Sequence, residues 1–168
     1  NRDKSKLALD ASTTTNGLVV FVCQKNPQTV NPDVKDLYEV GTIARIRRFW
    51  KVNGDYNLTV EGLSRVFIKE YVQDEPHFVV RVEEIPELTQ QHDDEIEALV
   101  ANITAQMNHY REVGGHLSLE SSIAIFSAED PNQLCNAITA GVDFKAFDKQ
   151  QILEMIDTRD RLNKVSEL

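Results

Sequence analysis

Residues 36–68 read D-L-Y-E-V-G-T-I-A-R-I-R-R-F-W-K-V-N-G-D-Y-N-L-T-V-E-G-L-S-R-V-F-I, and they leave the chain few choices. Two runs of strand character, 40–51 and 56–61, are joined across Val52, Asn53, Gly54 and Asp55. Asn-Gly between such runs predicts a tight hairpin, because both residues tolerate the positive φ that the turn requires. Gly62 interrupts the pattern before residues 64–68 resume it, which predicts a bulge or a sharp corner. The local expectation is a curled antiparallel sheet.

Ahead of this stretch, Leu7, Ala8 and Ala11 share helical spacing and predict a short helix from about Ser5, ending before the polar residues 12–17. Residues 18–24 are a continuous apolar run of strand length, expected to be covered on both faces. Residues 25–35 contain Pro27 and Pro32 and no periodicity, so they form a surface loop. After the hairpin, F-V-V-R-V-E-E-I at 78–85 predicts one more strand, preceded by a polar turn at 73–76. Four or five strands joined by short turns favour a small antiparallel β-barrel over an open sheet.

Around Pro86 the period changes. Ile96, Leu99, Val100, Ile103, Met107 and Tyr110 fall three or four apart, predicting an amphipathic helix over about 89–112 with acidic residues in its early turns. Ser118 can cap a second helix burying Leu119, Ile123 and Phe126. Asp130-Pro131 starts a third, with Leu134, Cys135 and Ile138 as its apolar face and Gly141 at its end. Asp148-Lys149-Gln150-Gln151 has the form of a capping box for a fourth, burying Ile152, Leu153 and Ile156. Beyond Asp157-Thr158, Leu162, Val165 and Leu168 keep helical spacing to the last residue, which predicts a final helix cut short. The expected organisation is a β lobe at 1–86 and a helical bundle at 87–168.

At 168 residues such a chain can bury a real core, and 41% hydrophobic with 27% charged residues is ordinary globular composition. Eighteen basic against 27 acidic side chains give a net charge of −9, which argues against nucleic acid as the partner. The two cysteines, Cys23 and Cys135, read as small buried hydrophobes. The longest apolar run, 18–23, is too short to span a bilayer, and no charged-then-apolar signal opens the sequence. A soluble, intracellular protein is expected.

Catalytic patterns are missing from the sequence. Neither common phosphate-binding glycine loop occurs, nor a G-x-S-x-G elbow, and His77, His92, His109 and His116 lack metal-ligand spacing. The one basic, aromatic run is 45–51, R-I-R-R-F-W-K. Strand alternation puts Arg45, Arg47 and Phe49 on one face and Ile46, Arg48 and Trp50 on the other. Such a strand either contacts a peptide or RNA through a stacking platform or uses its charges to discourage edge pairing. An exposed Phe or Trp here would favour binding over the protective role. Phe49 and Trp50 are the candidate anchors, with Arg2, Asp3 and Lys4 at the amino-terminal helix as a charged border.

Several segments resemble, in order, the amino-terminal domain of the Lon protease family. Asp36-Leu37-Tyr38-Glu39-Val40-Gly41-Thr42-Ile43-Ala44 is similar to that family's D-L-Y-x-V-G-T-x-A, and Val60-Glu61-Gly62-Leu63-Ser64-Arg65-Val66 to its V-x-G-L-x-R-V. Arg2-Asp3-Lys4-Ser5 resembles G-R-[ED]-K-S with Asn1 in place of the glycine. Asp130-Pro131 with Leu134, Lys149-Gln150 with Leu153-Glu154, and Asp160-Arg161-Leu162 resemble D-P-x-x-L, K-Q-x-x-L-E and E-R-L. Two departures stand out: the family's opening strand would precede Asn1, and Val113–His116 carries Gly-Gly where the family has a more polar connection.

The resemblance implies an α+β fold, a PUA-like small antiparallel β-barrel followed by an α-helical bundle. It implies a non-catalytic substrate-recognition and assembly domain, with no cofactor and no metal in this chain. ATP and Mg would belong to an ATPase module, and a Ser-Lys dyad to a peptidase, both outside it. The expected partners are unfolded or damaged proteins and other Lon subunits in a homo-hexamer, with no membrane. The expected location is the cytoplasm of a bacterium, or the mitochondrial matrix. The alternatives are a free-standing Lon-domain adaptor and a PUA-like RNA-binding protein.

Overall fold

The computed structural model describes residues 3–14, 16–53, 55–87 and 93–168. The chain divides into two compact units, Asn1–Ile85 and Pro86–Leu168.

The first unit holds helix α1 (Asp3–Thr13) and strands β1 (Leu18–Phe21), β2 (Val40–Val52), β3 (Asp55–Gln73) and β4 (Val79–Glu84). All four pair antiparallel in the order β1-β2-β3-β4. Asn53 takes the positive φ of 51° that the Asn-Gly signal predicted; Gly54 lies outside the described residues. β3 runs unbroken through Gly62, but the register steps from Ile43 opposite Ser64 to Ala44 opposite Gly62, leaving Leu63 as an extra residue. Of the two alternatives predicted at Gly62, the one present is the bulge, inside one long strand. Gly41 is required by close approach: a Cβ there would stand 2.4 Å from the Phe21 carbonyl oxygen on β1. Leu37, Val40, Ala44, Val66 and Ile85 are the buried apolar residues of this unit.

β1 is shorter than its apolar run suggested. Phe21 and Cys23 are exposed, so the run is an edge strand continuing into an isolated bridge between Gln24 and Leu37, and Cys23 is not a core residue. A short 3-10 turn, Val34–Asp36, interrupts the loop, with Asp33 and Asp36 capping each other's backbone.

The second unit contains α2 (Asp94–Glu112), α3 (Leu119–Phe126), α4 (Pro131–Gly141), α5 (Ala146–Glu154) and α6 (Thr158–Glu167). The predicted start of the long helix at 89–92 falls outside the described residues. Its face of Ile96, Ile103 and Met107 meets Ile125, Leu134, Cys135, Ile138, Ile152, Leu162 and Val165 in one core. Asp93, Ser118, Asp130 and Asp157 each accept a backbone N–H at a helix start. The fourth helix departs from expectation. It begins after Lys145 with no side-chain cap, Asp148 sits in its first turn 3.9 Å from Lys164, and Ile156 lies exposed beyond its end.

α3 also departs. Leu119, Ile123 and Phe126 share one helical face as predicted, but that face is outward: they are 78%, 59% and 39% exposed. Ile125 goes into the core instead. The reason is close packing. A Cβ on Gly141 of α4 would lie 2.8 Å from the Ser121 Cβ and 3.6 Å from Ile125 Cδ1, so α3 meets α4 through Ser121 and Ile125 and turns Leu119, Ile123 and Phe126 away.

A buried polar group joins α4, α5 and α6. Arg161 is 1% exposed. Its Nη1 donates to Asn132 Oδ1 at 2.7 Å, its Nη2 to Asn136 Oδ1, and its Nε to the Ile152 carbonyl at 3.3 Å. Asn132 Nδ2 in turn donates to Thr158 Oγ1 at 3.2 Å. Burial pulls the Arg161 pKa down from its ordinary value. Two residues before Arg161, Arg159 Nη2 lies 2.7 Å from Asp93 Oδ2 and Nη1 3.2 Å from Glu95 Oε2, tying the start of α6 to the start of α2. Arg159 and then the Glu95 amide hold the Asp93 carboxyl below the usual carboxylate range.

Two expectations follow for this unit. Arg161→Ala strands two buried acceptors, Asn132 Oδ1 and the Ile152 carbonyl, and should lower unfolding free energy by about 3 kcal/mol, each stranded group costing roughly 1–3 kcal/mol; urea denaturation followed by helical circular dichroism measures it, and a change within error would show the network to be dispensable. Because the folded Asp93 pKa is depressed, its stabilising contribution is present above the unfolded pKa and lost as pH falls through the folded one. Asp93→Asn should therefore narrow the stability difference between neutral pH and about pH 3, below the ordinary Asp pKa of about 3.9; the same urea series at both pH values reads it out.

Candidate binding surface on the long hairpin

A second register step lies between Ile46, opposite Val60, and Arg48, opposite Thr59, so that Arg47 is an extra residue on β2. Cross-strand partners share a face. The step therefore moves Phe49, opposite Leu58, to the side of Ala44 and Ile46, and leaves Arg45, Arg48 and Trp50 on the other side. Simple alternation had grouped Phe49 with Arg45 and Arg47, and Trp50 with Ile46; the bulge at Arg47 overturns that grouping. Burial follows the corrected register, with Ala44 buried, Ile46 and Phe49 half-buried, and Arg45, Arg48 and Trp50 exposed.

Phe49 is covered. Its ring centroid lies 5.3 Å from that of Tyr56 at 58°, and the Lys51 ammonium stands 4.4 Å from the Tyr56 centroid and 5.7 Å from that of Phe49. Tyr56 donates its hydroxyl hydrogen to Asp10 Oδ2 at 2.9 Å, and Lys51 Nζ lies 3.2 Å from Asp10 Oδ1. The Tyr56 hydroxyl and then Lys51 hold the Asp10 carboxyl below its ordinary range. Tyr56 and then Asp10 raise the Lys51 pKa. The carboxyl end of α1 is thus fastened over this face of the hairpin.

Trp50 faces the other way and is 45% exposed, flanked along its strand by exposed Arg48 and Val52. Of the two candidate aromatics, it alone is presented to solvent as a large ring.

The proposed charged border is not assembled beside it. Lys4 Nζ lies 2.7 Å from Glu75 Oε1, donates to the Asp74 carbonyl at 3.0 Å and stands 4.6 Å over the Phe78 ring. It sits near the opposite end of α1 from Asp10, about 9 Å of helix rise away. Asp3 is exposed in the first turn of α1, and Arg2 lies outside the described residues. Sequence reading passed over Lys51, Tyr56 and Asp10, whose contact across 46 residues leaves no local signal.

Lys4 instead lines a cavity of about 1040 Å³, bounded by α1, β1, the 30–33 loop, the end of β3 and β4, with Leu9, Val20, Tyr71, Phe78 and Val80 among its walls. Burial, and then Glu39, raise the Tyr71 pKa. Among the described residues, no group of three or more His, Cys, Asp or Glu side chains is placed to hold a metal, and no helix is long and apolar enough to cross a membrane.

This architecture has known counterparts. The N-terminal domain of the Mycobacterium avium complex Lon protease superposes with a TM-score of 0.74 at 22% identity, covering 99% of this chain and 85% of that one. The Lon N-terminal domain protein from Xanthomonas campestris gives 0.59 at 15% identity, covering 98% and 83%. These two likenesses concern the fold, an α+β arrangement of antiparallel sheet and helices. In sequence, the chain is 33% identical over 168 residues to the Lon protease of Syntrophomonas wolfei, covering 99% of this chain and 21% of that protein. It is 32% identical to that of Clostridioides difficile, covering 98% and 22%. The chain spans about a fifth of the length of these relatives. The family model described as the ATP-dependent protease La (LON) substrate-binding domain matches residues 1–168, and the chain belongs to that family.

Proposed function

We propose that this chain is the non-catalytic recognition domain of a Lon-type ATP-dependent serine protease. It catches exposed apolar segments of misfolded, damaged or regulatory proteins and hands them to an ATPase and a Ser-Lys peptidase encoded outside these 168 residues. ATP and Mg act in that ATPase module, and the β and helical units also help subunits of the parent assemble, as a hexamer in the cytoplasm. The observation that carries this reading is Trp50: a large ring 45% exposed at the far end of a strand, beside Arg48, while its neighbour Phe49 is turned under Tyr56 and Lys51. A solvated aromatic bordered by a cation suits an unfolded polypeptide, which offers apolar side chains and backbone but no fixed shape.

Two outcomes are expected of the purified chain. It hydrolyses neither ATP nor casein, and ATP-dependent casein cleavage by the 168 residues alone would refute the non-catalytic reading. Trp50→Ala should weaken binding of a permanently unfolded protein by about thirtyfold, the equivalent of roughly 2 kcal/mol for an interface aromatic. Phe49→Ala should instead act mainly on stability, because that ring is packed. Unchanged affinity in a folded Trp50→Ala variant, measured by fluorescence titration, would remove this strand from the contact surface.

A further inference from the structure

The charge of the chain is divided unevenly. Up to Ile85 there are 12 acidic and 12 basic side chains, whereas from Pro86 onward there are 15 acidic and 6 basic, so the whole net charge of −9 falls on the helical unit. The outward face of α3 lies within this acidic unit. Leu119, Ile123 and Phe126, at spacings of four and three, make one apolar stripe along the helix. Glu120 on α3 is exposed, as are Glu112, the last residue of α2 and next to Arg111, and Glu129, three residues beyond Phe126. The cation in contact with the stripe is Arg111, whose guanidinium carbon lies 5.0 Å from the Phe126 ring centroid. The inner face of α3 is committed to α4 through Ser121 and Gly141, so the stripe cannot turn inward without breaking that packing.

We infer that the outward face of α3 is a second docking surface, one that takes unfolded segments whose apolar side chains are flanked by lysine or arginine. The inference rests on the recognition role proposed above and adds to it a partner chemistry. An apolar stripe alone would bind any greasy segment. Set in a unit that carries all of the net negative charge, it attracts cationic segments and repels acidic ones, so charge supplies the discrimination while Leu119, Ile123 and Phe126 supply the contact. The exposure of these residues makes them suited to substitution without loss of fold.

The test uses the 168-residue chain and two synthetic fluorescent peptides with the same Leu and Phe residues, one flanked by lysines and one by glutamates. The lysine peptide is expected to bind at least about tenfold more tightly at low salt, with the margin shrinking as ionic strength screens the charges. Ile123→Ser should weaken the lysine peptide by about tenfold, the loss typical of a central apolar contact. Glu120→Gln with Glu129→Gln should reduce the preference for lysine over glutamate flanks while leaving the fold intact. Tight binding of the lysine peptide that Ile123→Ser leaves unchanged would overturn this inference alone, since the recognition role would still stand on Trp50. Binding of neither peptide would overturn both. Sedimentation of the chain as a dimer that Ile123→Ser dissolves would assign the stripe to a second copy and would also overturn the inference.

Discussion

The helical unit depends on a buried guanidinium held by neutral oxygen acceptors. Arg161 donates to two asparagine oxygens and a backbone carbonyl, all neutral. A buried cation is costly unless its donors are satisfied, and a planar fork that reaches two neighbouring helices at once satisfies them in a way that lysine cannot. Because Asn132 and Asn136 lie one turn apart on α4, and Ile152 near the end of α5, the side chain fixes how far α6 may slide along both. The apolar contacts of Leu162 and Val165 are non-directional; the guanidinium supplies the direction.

In the β unit the corresponding constraint lies in the β2–β3 pair, where Leu63 on β3 and Arg47 on β2 are extra residues. Side chains alternate with a period of two along a strand, so one added residue reverses everything beyond it. The reversal at Arg47 puts Phe49 under Tyr56 and leaves Trp50 in water. A run of seven residues in which charges and rings alternate without a clean apolar face thereby gains one.

What could be read in the sequence, and what could not, divides along the range of the interaction responsible. Asn53 at the turn, the caps at Ser118 and Asp130, and the spacing of three and four along α2 are set by neighbours within a few residues, and the sequence displays them. The glycine at 62 pointed to its bulge for the same reason. No glycine marks Arg47, and its bulge went unread. Helical periodicity located the stripe Leu119, Ile123 and Phe126 but could not tell which side of α3 faces inward, because that choice rests on Ser121 meeting Gly141, twenty residues away. Asp148 had the spacing of a cap, yet the helix starts earlier and uses it elsewhere. At the candidate surface the aromatic pair was visible. The clamp of Asp10, Tyr56 and Lys51 over one of its members was not, since it joins a helix to a hairpin far along the chain.

β3 is 19 residues long, but its two halves live in different company. From Ser64 onward it lies in the body of the sheet, with β4 paired from Val66. From Asp55 to Val60 its strand partner is the end of β2, and β1 reaches no farther along β2 than Arg45. The end that carries Trp50 is thus a two-stranded ribbon projecting past the four-stranded sheet, fastened to α1 by one tyrosine and one lysine. Ribbons of this kind open and twist at low free energy while the sheet behind them stays closed. The exposed ring is therefore carried beyond the four-stranded sheet, on a ribbon tied back to the unit through Asp10 at its contacts with Tyr56 and Lys51.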